Sequence, residues 1–162
     1  MTQRLDQQVA SPDGMRVLGN VHQYVTKSDL PLNLINLVYL RVSQINGCPY
    51  CIAMHWRELM KGNVPSAKLM LLSVWRQVDG LFTGKERAAL QWAESLTLIS
   101  QTGAPDADYR IAIAQFDEKQ LVDLTIAIGV INTYNRLGIG FRRTPEGLNV
   151  TVSNPQSASK EA

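Results

Sequence analysis

The sequence lacks any long hydrophobic run. No stretch approaches the roughly eighteen uninterrupted apolar residues of a membrane-spanning helix, and residues 1–30 contain no apolar segment of the signal-peptide kind. We therefore expect no membrane partner and no secretion signal, and we expect the protein to be cytoplasmic. Thiols stay reduced in that compartment, so a close cysteine pair there is more often redox-active, catalytic or metal-binding than a structural disulfide.

The sequence also carries little net charge. Sixteen Lys and Arg side chains stand against fourteen Asp and Glu side chains, and the basic residues are scattered along the chain. A surface that binds nucleic acid or anionic lipid needs a denser positive face, so we expect neither partner. Apolar residues make up 45% and charged residues 19% of the 162, which is typical of one globular domain.

Sustained period-two alternation, the pattern of half-buried strands, is absent as well. Apolar residues recur at spacings of three and four, and prolines and capping residues mark helix starts. The sequence predicts an all-α bundle of about six to eight helices in a single domain over residues 1–143, with a polar, flexible tail over 144–162. The predicted helices lie at 13–27, 31–45, 49–61, 66–74, between Thr83 and Thr102, after Asp106, and at 118–138.

Two of these helices have apolar patterns that predict how they pack. The buried face of the helix after Thr83 is predicted to contain Ala89, Trp92, Leu96 and Ile99. Helix 118–138 is apolar on most of its circumference, so it must lie at the centre of the bundle or against another subunit. One side of it carries Leu121, Leu124, Ile128 and Ile131, and another carries Val122, Ile126, Val130 and Leu137.

Both cysteines of the chain lie in one short segment, NGCPYCIAMH. The Asn-Gly pair ends one helix, Cys48 falls at the N-cap of the next, and Pro49 occupies its first position. Free N–H groups of a first helical turn stabilise a thiolate, so we expect at least one cysteine pKa below about 8.5. Cys51 lies three residues after Cys48, and His55 lies four residues after Cys51. One helix face therefore presents a nucleophile, a second thiol that can form a disulfide, and a base.

Two other interpretations of this segment stay open. The cysteine pair can be a coincidence in an oligomeric interaction module whose thiols are idle. Two thiolates and an imidazole also supply three of the four ligands that zinc takes. Three ligands within little more than one helical turn converge poorly, and the other histidine, His22, has no motif around it. We therefore expect no metal, and we expect His22 to be a surface or satisfied core histidine.

The cysteine segment resembles a known family. LVYLRVSQINGCPYCIAMHWREL is similar to the CxxCxxxH signature of alkylhydroperoxidase AhpD-like proteins, within the wider carboxymuconolactone decarboxylase family, and the likeness continues in ERAALQWAESLTLIS and LVDLTIAIGVINTYNRLGIGF. The resemblance implies an AhpD-like helical bundle that assembles into trimers or hexamers. It also implies reduction of hydroperoxides without a metal or bound cofactor, with electrons from a thiol partner. The cysteine pair has no evident role in decarboxylating a lactone.

The resemblance also implies a role for each residue of the motif. Cys51 would be the peroxidatic thiolate that becomes a sulfenic acid, Cys48 the resolving thiol, and His55 part of a proton relay. The spacing agrees, since His55 lies one helical turn from Cys51 and nearly two from Cys48. The logic of thioredoxin-like proteins would instead select the first cysteine as the nucleophile.

One residue departs from the family pattern. The peroxidases have a glutamate twelve residues before the first cysteine, and here that position is Asn36. An amide does not accept and release a proton near neutral pH, so the relay is broken unless another acid replaces it. Glu58, three residues after His55 on the same helix, is a candidate to orient the imidazole, and Glu94 is a candidate to face the site from another helix. The alternative for each is a solvated surface carboxylate. The sequence therefore predicts a thiol-dependent peroxidase in antioxidant defence. The alternative is a thiol–disulfide oxidoreductase or redox sensor with weak peroxidase activity.

Overall fold

Every regular element that the structure describes is helical. The structure is a computed structural model that describes residues 2–145. The all-α prediction is confirmed, and the ten helices of this range exceed the predicted six to eight because they include two four-residue helices and a 3₁₀ helix. Most of the predicted tail, residues 146–162, lies outside the described residues. The helices are α1 (Gln7–Ala10), α2 (Pro12–Thr26), α3 (Leu32–Asn46), α4 (Pro49–Lys61), α5 (Ser66–Met70), the 3₁₀ helix (Leu72–Gln77), α6 (Gly84–Thr97), α7 (Ile99–Thr102), α8 (Asp106–Ile113) and α9 (Glu118–Gly140).

The local sequence sets the helix ends on both sides of the cysteine segment. Pro49 occupies the first position of α4 and Gly62 follows its last residue, as predicted. Gly47 ends α3 in a left-handed conformation with φ of 71°, and its N–H donates to the Ser43 carbonyl. A residue with a side chain is strained at this φ, so the tight turn from α3 into α4 depends on the glycine.

A capping box starts α6, as the sequence predicts. The Thr83 hydroxyl oxygen accepts a hydrogen bond from the Glu86 N–H at 3.2 Å. The Glu86 carboxylate in turn accepts one from the Thr83 N–H at 2.8 Å. Two N–H groups that the first turn leaves without helical partners are thereby satisfied.

Two predicted helices end earlier than the sequence indicates. The predicted helix at 66–74 is α5, which ends at Met70 and continues as the 3₁₀ helix. The prediction that Ile99 belongs to the buried face of α6 is wrong, because its side chain is 55% exposed. Leu98 ends α6 with a ψ of 30°, so the following residue starts α7 in a new direction. Ala89 and Trp92, earlier on the same face, are buried as predicted.

α3 lies at the centre of the bundle, packed against α4, α6 and α9. Nine of its fifteen residues are buried. Its apolar side chains enter two clusters, one shared with α6 and α9 and one shared with α4, α5, the 3₁₀ helix and α6. Each large apolar side chain that is fully buried contributes about 1.5–3 kcal/mol. Both cysteines belong to the first cluster, so the thiols lie against the main core.

α9 has one fully buried side and one mixed side. The predicted buried side is confirmed at all four positions, Leu121, Leu124, Ile128 and Ile131. On the second side Val130 is buried but Val122 is 57% exposed. The central helix is therefore α3, and α9 keeps part of its apolar surface uncovered in the single chain. Within residues 2–145, no helix combines the length and the apolar character that crossing a membrane requires.

Candidate active site: a thiol pair beside an aromatic cavity

The turn between α3 and α4 places the first cysteine at the N-cap of α4. Cys48 has an extended backbone conformation, φ −91° and ψ 100°, and its sulfur accepts a hydrogen bond from the Cys51 N–H at 3.4 Å. The backbone N–H of Cys48 donates to the Ser43 carbonyl at 3.0 Å. These bonds hold the first sulfur over the N-terminal turn of α4, where partial positive charge favours a thiolate.

The two sulfurs are in direct contact. Both cysteines are free thiols, and their Sγ atoms lie 2.6 Å apart and share a hydrogen bond. The hydrogen bond from the Cys51 thiol is the main reason why the pKa of Cys48 falls to about 7. Burial acts in the opposite direction and raises this pKa, while the backbone N–H of Cys51 lowers it further. The same hydrogen bond, followed by burial, raises the pKa of Cys51. The first proton of the pair therefore leaves near pH 7, and the second stays bound well above that pH.

The predicted drop in a cysteine pKa thus has a different main cause from the one that the sequence suggests. The helix N-terminus contributes through the backbone N–H groups of Cys51 and Tyr50, but the second thiol is the larger influence. Two thiols in contact cannot easily both ionise, since the second negative charge is repelled by the first. The contact between the sulfurs therefore makes the first proton acidic and keeps the second one bound.

α9 forms the wall behind the sulfurs. A Cβ added to Gly138 would lie 3.0 Å from the Cys48 sulfur and 3.8 Å from the Cys51 sulfur, so only a glycine lets this helix approach so closely. One turn earlier, Asn135 is fully buried, donates to the Ser43 hydroxyl at 3.0 Å and accepts from Asn46 at 2.9 Å. The Asn135 side chain also hydrogen-bonds Cys48 and helps to lower its pKa.

Cys51 opens onto a cavity of about 220 Å³ in front of the thiol pair. Cys48 does not line this cavity and has no exposed surface, whereas Cys51 retains 3% exposure. The first cysteine is therefore the less accessible one, contrary to the thioredoxin-like alternative. Half of the ten residues that line the cavity carry aromatic rings, namely His22, Tyr39, Tyr50, His55 and Tyr134.

His55 lies on the cavity wall as a neutral imidazole with one free nitrogen. Its Nδ1 donates to the Asn36 amide oxygen at 3.1 Å, which leaves the proton-free Nε2 as an acceptor. Nε2 is buried and has no hydrogen-bond partner among residues 2–145. Burial, followed by the influence of His22, lowers the pKa of His55 to about 3. The Tyr39 ring packs edge-on at a centroid distance of 5.0 Å and fixes the imidazole plane.

The glutamate Glu58, predicted to orient His55, lies elsewhere. Its carboxylate is exposed and pairs with Lys61 at 2.8 Å, one turn further along α4. The Nδ1 of His55 is already bonded to Asn36 on the neighbouring helix. The prediction that Glu58 orients the imidazole is therefore wrong. Glu58 does lie three residues after His55 on α4, but its side chain points to solvent and pairs with Lys61.

Glu94 is buried, but it does not line the cavity. It accepts hydrogen bonds from Arg41 at 2.6 Å and from the Trp75 indole at 2.8 Å, and it forms an ion pair with Arg76. Burial alone would raise the pKa of Glu94. The three partners lower it by more than burial raises it, so the pKa lies below its ordinary value. Residue 41 faces nearly opposite to residues 36 and 39 on a helix with about 3.6 residues per turn. The prediction that Glu94 faces the cysteine site is therefore wrong, and its carboxylate cross-links α3, α6 and the 3₁₀ helix.

His22 is half-buried and hydrogen-bonded, which agrees with the prediction of a satisfied histidine, but the sequence did not indicate that it lines the cavity. It lies on the cavity wall from α2, with its Nδ1 3.5 Å from the Tyr39 hydroxyl and its ring edge-on to Tyr134. Burial lowers its pKa, so this second imidazole is also neutral near pH 7. Among the described residues, no group of three or more His, Cys, Asp and Glu side chains is arranged to hold a metal ion.

The comparison with known proteins adds a family to this geometry. Residues 12–95, which include Asn36, both cysteines and His55, match the carboxymuconolactone decarboxylase family. The chain belongs to the carboxymuconolactone decarboxylase family. A relative of this chain, the uncharacterized protein YdfG of Bacillus subtilis, is 34% identical over 139 residues, which make up 86% of this chain and 94% of YdfG.

Crystal structures confirm the AhpD-like fold within this family. A protein of unknown function from Agrobacterium tumefaciens, for which a role in antioxidant defence as AhpD has been suggested, has a TM-score of 0.86 at 38% identity. That match covers 89% of this chain and 98% of the other. The alkylhydroperoxidase AhpD core of Ralstonia eutropha JMP134, an uncharacterized peroxidase-related protein, has a TM-score of 0.76 at 18% identity and covers 87% and 75%. The second likeness concerns the fold alone.

Proposed function

We propose that this protein is a thiol-dependent peroxidase that reduces organic hydroperoxides through a Cys48–Cys51 disulfide cycle. The observation that carries the proposal is the arrangement around Cys51. Its sulfur opens onto an apolar cavity, and a second sulfur lies 2.6 Å behind it, already within reach of a disulfide after small movement. Loss of the first proton near pH 7 leaves one thiolate in the pair, and a thiolate is the form of cysteine that a peroxide oxidises.

The first chemical step oxidises Cys51. The singly ionised pair carries its charge mainly on Cys48, so Cys51 first passes its proton to Cys48 across the hydrogen bond between the two sulfurs. The resulting Cys51 thiolate attacks the terminal oxygen of the hydroperoxide, an S–O bond forms, and the O–O bond breaks with its electron pair on the leaving oxygen. The hydroperoxide proton, accepted at the free Nε2 of His55, passes to that leaving oxygen, so the products are an alcohol and the Cys51 sulfenate.

The second step forms the disulfide. Cys48 gives its proton to the sulfenate, and the resulting Cys48 thiolate attacks the Cys51 sulfur, which releases hydroxide. Over both steps the pair loses two electrons, and one hydroperoxide yields one alcohol and one hydroxide. Cys48 is suited to this role because it is sealed from the cavity and can meet only its neighbouring sulfur.

Asn36 favours a second candidate function. Its amide oxygen holds the His55 tautomer in which Nε2 is an acceptor, but it cannot itself take up a proton as a carboxylate does. A slow proton transfer would limit peroxide turnover and leave the disulfide chemistry intact. The chain would then act as a thiol–disulfide oxidoreductase or redox sensor with weak peroxidase activity.

The electron donor and the assembly belong to the same proposal. A protein or small dithiol returns the two electrons by exchange at Cys51, the sulfur that is open to the cavity. Val122 and Ile139 of α9 are exposed apolar residues, 57% and 41%, which a homo-oligomer such as a trimer or hexamer would cover. We place this activity in the cytoplasm, where a dithiol donor is kept reduced.

Turnover with defined variants tests the proposal. Cumene hydroperoxide should drive the oxidation of dithiothreitol in the wild type, while Cys51→Ser should be inactive. Cys48→Ser should form a sulfenic acid once and then stop, because no second sulfur resolves it. A wild-type rate equal to that of Cys51→Ser excludes the peroxidase. Rapid disulfide exchange with a dithiol, without peroxide turnover, would instead support the oxidoreductase.

A further inference from the structure

One wall of the cavity comes from outside the segment that matches the family. Gln7 lies in α1, before residues 12–95, and its side chain lines the same cavity as Cys51 and His55. Only 6% of Gln7 is exposed, although its neighbours in α1 are exposed. A buried glutamine in a four-residue peripheral helix is unusual, because amide side chains mostly face solvent.

Two contacts fix the position of this wall. The Arg4 N–H donates to the Phe141 carbonyl at 3.0 Å, and the Arg4 guanidinium donates to the Gly140 carbonyl at 3.0 Å. Asp6 caps α1 by accepting from the Gln8 N–H at 2.8 Å. The N-terminal segment is therefore held on the end of α9, and Gln7 of α1 lines the same cavity as the reacting thiol of α4.

The Gln7 side chain is nearly buried on the cavity wall, but its amide atoms are not among the fully enclosed polar atoms that lack a partner. An amide on the wall of a cavity can fix the orientation of a molecule bound there by a hydrogen bond. The same cavity holds one fully enclosed polar atom without a partner among the described residues, Nε2 of His55. A ligand that binds both groups must present one donor to the imidazole and a second polar group to the amide.

A hydroperoxide without other functional groups satisfies only one of these two sites. Its single O–H is directed to His55 and its terminal oxygen to Cys51, while the rest of the molecule lies against the aromatic wall. The amide offers both an N–H donor and a carbonyl acceptor, which a hydroxyl group complements. The substrate would then carry an oxygen substituent at the end remote from the O–O bond.

We infer that Gln7 is a specificity-determining residue that binds a hydroxyl substituent on the organic part of the hydroperoxide. This inference rests on the proposed peroxidase function for the identity of the reacting group, and it extends that function to a substrate class, aryl hydroperoxides with a second oxygen group. Binding at Gln7 itself requires no turnover, so the two claims can be tested separately.

Product-like alcohols without an O–O bond provide the binding test. The probes are cumyl alcohol and its para-hydroxymethyl derivative, titrated into the reduced wild type by calorimetry. The hydroxymethyl derivative should bind about tenfold more tightly, the change that one hydrogen bond makes. Gln7→Leu should remove this preference, and Gln8→Leu, the same substitution at the exposed neighbour, should keep it. Gln7→Met serves in the same way if Gln7→Leu does not fold.

The outcomes separate the two claims. A preference that is absent in the wild type, or unchanged in Gln7→Leu, overturns the role of Gln7 even if peroxide turnover is observed. A preference that depends on Gln7 in a protein without turnover supports the binding site and rejects the peroxidase. With turnover, Gln7→Leu should raise the KM for para-hydroxymethyl cumene hydroperoxide about tenfold more than it raises the KM for cumene hydroperoxide, and it should leave the thiol titration unchanged.

Discussion

Replacing Gly138 by alanine tests whether α9 is packed directly against the thiol pair. In a helix interior, Gly→Ala stabilises by about 1 kcal/mol through backbone propensity. Here the new Cβ would lie 3.0 Å from the Cys48 sulfur, which is closer than normal van der Waals contact, so the added methyl group also destabilises the folded protein. Overpacking of this kind costs about 1–3 kcal/mol. The two effects together predict that Gly138→Ala is between neutral and about 2 kcal/mol less stable than the wild type.

Gly129 in the same helix is the matched control. A Cβ added there meets nothing within 4 Å, so Gly129→Ala should gain only the propensity term of about 1 kcal/mol. The difference between the two variants is then about 1–3 kcal/mol, or several degrees in Tm for a chain of this size. Urea unfolding of the reduced proteins measures this difference directly.

A double-mutant cycle identifies the sulfur as the cause. In a Cys48→Ala background the contact at 3.0 Å no longer exists, so adding Gly138→Ala should be as stabilising as Gly129→Ala. Disulfide formation under mild oxidation should also be slower in Gly138→Ala, because the sulfur is displaced. Equal stability of Gly138→Ala and Gly129→Ala, with unchanged thiol reactivity, would refute the packing of α9 against the pair.

Three further predictions concern the groups around the site. Asn36→Glu should raise peroxide turnover about tenfold or more, because a carboxylate beside His55 stabilises the imidazolium during proton transfer; an unchanged rate would mean that the imidazole carries no proton. Because the folded protein holds the His55 pKa at about 3 and the unfolded chain has its ordinary value of 6.5, the unfolded state binds the proton first as the pH falls. The free energy of unfolding should therefore decrease by about 2 kcal/mol between pH 7 and pH 5, and by clearly less in His55→Phe. Glu94→Leu should destabilise by about 3–5 kcal/mol, since it leaves Arg41 buried without a partner, while Glu58→Gln should change stability by less than about 0.5 kcal/mol. Neither substitution should shift the pKa values found by thiol titration. A shifted thiol pKa in Glu94→Leu would show that Glu94 influences the cysteines and belongs to the site.

The sequence predicted those features that depend on neighbouring residues. Helix starts at Pro49 and at Thr83 follow from caps and prolines within one turn, and the shared face of Cys51 and His55 follows from a spacing of four. The position of Asn36 beside His55 came only from the family resemblance, which compares distant elements. Its contact at 3.1 Å agrees with that resemblance.

The cavity was not predictable by the same means. Its walls come from α1, α2 and α9, and Gln7, His22, Tyr134 and Gly138 are each single residues without a local pattern. Helical spacing also led to the wrong partner for Glu58. Residues three apart lie on the same helix face, but His55 contacts Asn36 in the interior while Glu58 pairs with Lys61 on the solvent side. Side chains brought together by tertiary packing leave no periodic trace in the sequence.

A single-turnover reaction tests the central claim most directly. Reduced protein is mixed with one equivalent of cumene hydroperoxide, and the alcohol formed is compared with the thiols lost and with the disulfide found by mass spectrometry of the peptide that contains residues 48–51. The account predicts one alcohol and one intramolecular disulfide per chain, formed far faster than with a free thiol. Two thiols that stay reduced, or alcohol formed no faster than with free cysteine, would contradict it.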